Sequence, residues 1–115
     1  MPGLVFETLS KVSINPAIYA KKNAGVTSGY KAYLIPSDVA PDGYAYMKVK
    51  VNTAATWKAE YTLAEGAEME AGTHDLTDIF GANHTTIQDF DVPSGVSAVI
   101  VTLVSGSIDI VVRMK

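Results

Sequence analysis

Apolar and polar side chains alternate most cleanly over Val96 to Lys115, VSAVIVTLVSGSIDIVVRMK. Ile108, Ile110, Val112 and Met114 fall on one face, and Asp109 and Arg113 fall on the other. A half-buried strand requires this period of two, because successive side chains point to opposite faces of a sheet. The Ser105-Gly106 step between two β-branched runs predicts a final hairpin. Tyr44 to Asn52 shows the same alternation, with Ala45, Met47, Val49 and Val51 inward and Tyr44, Tyr46, Lys48 and Lys50 outward. Trp57 to Leu63 follows, with Trp57, Ala59, Tyr61 and Leu63 on one face opposite Lys58, Glu60 and Thr62. With Thr53 to Thr56 between them, these two strands predict a second hairpin.

Other elements are shorter. Tyr30 to Ile35 reads as a strand closed by Pro36, and Pro36 to Gly43 is dense in turn formers. Thr85 to Val92 reads as a strand closed by Pro93-Ser94-Gly95, and Ala64 to Thr73 as a loop. The predicted helix is Asp75 to Phe80, with Thr73 or Asp75 as N-cap, Gly81 as its stop, and Leu76, Ile79 and Phe80 plugging one end of the fold. Near the N-terminus, Leu4, Phe6 and Leu9 anchor one short strand and Val12 with Ile14 another. Asn15-Pro16 breaks the pattern, and Lys21 to Gly29 reads as a polar, glycine-bearing loop. Two readings of this region stand: an arm and loop over residues 1–29 ahead of a domain over 30–115, or an ordinary edge strand paired with the C-terminal one. Seven or eight short strands with one small helix predict an all-β fold, an antiparallel β-sandwich of jelly-roll type.

The length of 115 residues fits a single domain, and the absence of cysteine excludes disulfides and thiolate metal sites. The start, MPGLVFETLSKV, has neither the basic opening nor the apolar core of a signal peptide, and no run approaches a membrane span. The expectation is a protein made in a cytoplasm, without membrane contact. Charge is unevenly distributed. Residues 1–58 hold seven Lys and three acids, whereas residues 59–115 hold two basic residues and nine acids. Glu65, Glu68, Glu70, Asp75, Asp78 and Asp89 give no purchase for a phosphate backbone, so nucleic acid is not an expected partner. The asymmetry fits a solvated acidic face, or steering of one copy's basic half toward another's acidic half or toward a charged partner surface.

Catalytic motifs are missing: there is no Walker pattern, dinucleotide fingerprint or nucleophile elbow. His74, Asp75, Asp78 and His84 have the chemistry of divalent-metal ligands, but their spacing matches no zinc pattern. Asp89 and Asp91, near Glu65 or Glu68, offer hard oxygen ligands for calcium, with two solvated strand aspartates as the plainer reading. No metal, cofactor or catalytic residue is therefore assigned, and the chain is read as a non-enzyme. Aromatic residues are the other resource. Tyr44 and Tyr46, on the polar face of their strand, suit either cross-strand packing or a contact surface for sugar rings or protein. Trp57 reads as a core residue, and Asn83-His84-Thr85 as a chance glycosylation sequon.

An arm at Met1 to Gly29 followed by a compact sandwich from Tyr30 to Lys115, cysteine-free and rich in Ala, Val, Thr and Gly, resembles the small β-sandwich virion proteins of tailed bacteriophages, the capsid decoration or cement type. That resemblance implies a structural protein on the outer surface of a virion, often trimeric, reinforcing contacts between major capsid subunits. It implies the capsid protein or further copies of itself as partners. Leu4, Val5, Phe6 and Leu9 would then be the partner-binding arm residues, with Lys21 and Lys22 facing an acidic capsid surface. A carbohydrate-binding module using Tyr44 and Tyr46 is the alternative, and a glycan-binding virion protein would combine the two.

Overall fold

The computed structural model describes residues 3–14, 17–35, 45–79, 85, 88–92 and 96–114. They form strands β1 (Ser10–Ile14), β2 (Ala17–Val26), β3 (Tyr30–Leu34), β4 (Ala45–Thr62), β5 (Thr77–Asp78), β6 (Gln88–Asp91) and β7 (Ala98–Met114), with one helix, α1 (Gly66–Ala71). The protein is all-β. Every named strand pair is antiparallel, and the seven strands belong to one continuous sheet rather than two separately bonded ones.

Two long strands carry the architecture. β4 has 18 residues and β7 has 17. They pair from Ala45↔Met114 to Thr62↔Ala98, with register shifts between Val51 and Trp57. Neither predicted hairpin exists: each pair of predicted strands is one strand passing through a bulged bend. The reason lies in Gly106, whose φ of 85° allows a kink without a reversal. A Cβ there would run into the Ala54 carbonyl and lie 2.6 Å from the Ala55 Cα, so the two strands cross closely at this point. Extra residues on one strand of a pair bend and twist it without ending the ladder.

The bend divides the ribbon into two halves. β2 and β6 flank the half built from residues 45–51 and 108–114, and β3 and β5 flank the other. Both halves bury their inner faces in one core. Met47, Val49, Ile108, Ile110, Val112 and Met114 come from the first, and Tyr33, Trp57, Ala59, Val99, Val101 and Leu103 from the second. Trp57 meets Phe90 of β6 across the fold, ring centroids 6.4 Å apart at 21°. The sheet is therefore folded over on itself, inner faces together and outer faces pointing apart.

Three further expectations are corrected. Lys21 to Gly29 is not all loop: Ala17–Val26 pairs along β7 from Tyr19↔Met114 to Val26↔Ile108, and Val26 is in the core. The helix lies at Gly66–Ala71, inside the predicted loop. The Glu68 carboxylate accepts from the Glu65 N–H at 3.3 Å, and Gly72 closes the helix with φ 79°. Residues 77–78 of the predicted helix are instead strand β5, held by Glu60↔Asp78 and Tyr61↔Thr77. Of the three plugging residues, Leu76 is half-buried and Ile79 packs on the core, its N–H donating to the Ala59 carbonyl at 3.0 Å. Phe80, the stop at Gly81, and the turns at Pro36 to Gly43 and Pro93 to Gly95 lie outside the described residues.

Candidate functional site

The N-terminal segment is tied to its own chain before it is offered to any other. Leu4 N–H donates to the Met69 carbonyl of α1 at 3.0 Å, and Glu7 N–H to the Ala32 carbonyl of β3 at 2.8 Å. Between them Val5 N–H donates to the Tyr30 hydroxyl at 3.0 Å, and Phe6 bridges Ala32. Leu4 and Phe6 are half-buried, and Leu9 packs on the core. Of the four apolar residues that resemblance assigns to partner binding, Val5 alone is turned outward, 73 % exposed. Further along the chain, Val12 at 55 % and Ile14 at 82 % exposure face solvent on β1. A register shift lies between Lys11 and Ser13 of this strand. Among the described residues β1 pairs with β2 only, so it forms an end of the sheet.

A polar seam lies where β2 and β3 meet the same side of β7. Tyr33 hydroxyl donates to Asn23 Oδ1 at 2.7 Å, and Asn23 Nδ2 donates to Glu7 Oε1 at 2.6 Å. Lys31 Nζ sits 3.8 Å from the same carboxylate. Burial pushes the Tyr33 phenol well above its ordinary range, and the Glu7 charge adds to the shift. A phenol held protonated in this way is a hydrogen-bond donor, and its work is to join the N-terminal segment, β2 and β3.

The outer face of the first half is open. Register places Lys22, Val111, Lys48 and Asp89 in one row and Ala20, Arg113, Tyr46 and Asp91 in the next. Lys22, Lys48, Lys50 and Arg113 are all exposed around Val111, which is 41 % exposed, and Tyr46, 39 % exposed. Asp109 lies among them, accepting from Gly25 N–H at 2.8 Å and from Asn52 Nδ2 at 2.6 Å. The Gly25 bond, the Asn52 bond, and the charges of Lys22 and Lys50 hold its carboxyl below the usual range, against a smaller opposing effect of desolvation. Lys21 does not share this face. It lies in the inward row with Val112 and Met47 and is half-buried, so the Lys21–Lys22 pair divides between two sides of the sheet. Tyr44 lies outside the described residues. Trp57 is fully buried, as the alternation required, and cannot serve as a stacking platform.

The residues with metal-ligand chemistry are not assembled. Among the described residues no group of three His, Asp or Glu side chains could hold an ion. His74 is buried while Asp75 and Asp78 are exposed; Asp91 is exposed on β6, and His84 lies outside the described residues. Both ring nitrogens of His74 are buried without a hydrogen-bond partner. Two surface depressions are lined by described residues. One, of about 330 Å³, is lined by Lys22, Asn23, Gly25, Thr27, Ser28 and Lys31. The other, of about 340 Å³, includes Tyr61, Leu63, Glu68, Asp75 and Thr77. No helix among the described residues is long and apolar enough to cross a membrane. Compared with known proteins, the chain matches no family model, no curated protein and no solved structure.

Proposed function

We propose that this chain is a non-enzymatic assembly protein, a virion component of the capsid decoration or cement type, that stabilises a larger particle through subunit contacts. The observation that carries the reading is the solvent-facing aliphatic set Val5, Val12 and Ile14, at 73, 55 and 82 % exposure. Large aliphatic side chains gain about 1.5–3 kcal/mol each on full burial, and an edge strand offers unpaired backbone groups beside them. A neighbouring protein surface satisfies both. The docking segment is thus Val5 with β1, and Leu4, Phe6 and Leu9 act as the anchors that hold it in place.

The test compares wild type with a Val12→Asp/Ile14→Asp double variant by light scattering over a concentration series. The reading expects a closed oligomer, a trimer by resemblance, that the variant loses while its thermal melt is unchanged. Identical molar masses for a self-associating wild type and the variant would sink this docking segment. The exposure of Tyr46 favours a second reading, a carbohydrate-binding module, in which Tyr46→Ala removes sugar affinity without loss of stability.

A further inference from the structure

We infer that residues 3–7, helix α1 and the link to His74 form a strap-and-helix cap that opens and closes as one unit while the β4–β7 sheet stays folded. The inference goes beyond the assembly reading and does not depend on it.

The strap binds at both of its ends. At the first, Gly3 lies so close to the C-terminal turn of α1 that a Cβ there would fall into the Glu70 carbonyl. Beside it, Leu4 N–H donates to the Met69 carbonyl at 3.0 Å. At the second, Phe6 forms an isolated parallel bridge with Ala32, and Glu7 N–H donates to the Ala32 carbonyl at 2.8 Å. The Glu7 carboxylate accepts from Asn23 Nδ2 at 2.6 Å and lies 3.8 Å from Lys31 Nζ. The segment thus joins α1 to β3 through a few bonds and one bridge, without a ladder of its own.

The helix needs this strap. Gly66–Ala71 is too short to persist by itself, because a helix of about 12 residues is already marginal in water. Among the described residues no strand backbone runs close alongside it. The capping box and the Gly72 stop shape the helix but do not attach it. Its buried side chain is Met69, which lies outside the inner core, and Met69 is the residue whose carbonyl Leu4 holds. Strap and helix therefore keep each other in place.

His74 sets the balance. It follows Gly72 by two residues, ahead of β5, and is buried with neither ring nitrogen hydrogen-bonded. A buried polar group without a partner is a store of strain, and opening of the segment that carries it lets water relieve that strain. Units that open locally are contiguous pieces with few buried apolar contacts, and the cap is built this way. The sheet is not. β7 is paired with β2 and with β4 through residues 110–113, and Ile110 and Val112 are fully buried. Val5 rides on the strap at 73 % exposure, so closure of the cap governs how this apolar side chain is presented.

The test is native-state hydrogen exchange on the full chain, read amide by amide by NMR in rising sub-denaturing urea. Wild type is compared with Gly3→Ala and His74→Leu. The Leu4, Glu7, Met69 and Thr73 amides are all donors in the closed cap. In wild type they are expected to share one protection factor and one shallow urea dependence, about a hundredfold or more below the protection of Ile110 and Val112. Gly3→Ala pushes the strap off Glu70 and is expected to lower protection at Met69 and Thr73 as much as at Leu4 and Glu7, by about tenfold. His74→Leu removes the unpartnered nitrogens and is expected to raise all four by about fivefold. Exchange of the four amides only together with Ile110 and Val112 in wild type overturns the inference. So does a Gly3→Ala effect confined to Leu4 and Glu7, or a His74→Leu effect that spares them. Wild type and His74→Leu decide the matter if Gly3→Ala does not fold.

Discussion

Gly106 is the residue on which the fold turns. Its φ of 85° lies where only glycine is unstrained, and Ala54 and Ala55 leave no room for a Cβ. Gly106→Ala is expected to lower stability by about 2–3 kcal/mol, combining backbone strain with displacement of the facing strand. Urea unfolding reads this directly, and a loss under about 0.5 kcal/mol would show that the bend does not depend on this residue. His74 makes the opposite prediction. Its ring nitrogens are buried and unpartnered, and such groups cost about 1–3 kcal/mol each when left so. His74→Leu, which removes both at similar volume, is expected to raise stability by about 1 kcal/mol. A destabilised His74→Leu would mean that the ring has a partner when the protein is in solution. Gly106 was visible in the sequence as a Ser-Gly step, but a tight turn and a glycine bulge draw on the same residue types. Only the length of the partner strand decides between them.

At the scale of elements, alternation was the legible signal. It placed Met47, Val49, Ile108, Ile110, Val112 and Met114 inward, and all six are fully buried. Alternation also set Glu60 and Thr62 on an outward face, yet both are buried. A period of two shows which side chains share a face and says nothing of what will cover it. The helix itself was marked by Glu65, Glu68 and Gly72, a capping box with a glycine stop, in a stretch whose glycines read as loop. β2 was obscured for a related reason. Lys21, Lys22 and Asn23 are polar on both sides, because Asn23 joins a buried seam and Lys21 lies at a half-buried margin.

Asp109 gives the element scale its pH prediction. It ties the end of β2 to β4 and β7, and its folded carboxyl lies below the ordinary value, so its contribution is present above the unfolded pKa of about 3.9. That contribution is lost as pH falls through the lower folded value. The stability gap between wild type and Asp109→Asn in urea unfolding is expected at pH 7 and should shrink on acidification toward pH 3. A gap that stays constant over that range would contradict the role of the ionised carboxylate.

For the whole molecule, the folded-over sheet connects sequence to function. The charge split between residues 1–58 and 59–115 was legible at once. Its mixing in the fold was not: Asp91, Asp109 and Arg113 share a face with Lys22, Lys48 and Lys50, because β4 and β7 each pass through both halves. The orientation of the arm residues was hidden in the same way: Leu4, Phe6 and Leu9 are apolar like Val5, but the segment bonded to β3 and α1 turns Val5 outward. Burial of Trp57 removes the strongest stacking platform from the glycan reading. The assembly reading rests on the exposed aliphatic side chains Val5, Val12 and Ile14. Association therefore carries the central claim. The most direct measurement is the molar mass of the full-length protein by light scattering across concentration at low and high salt. The account predicts a discrete oligomer whose mass depends on Ile14. A strict monomer at every concentration and salt would contradict it.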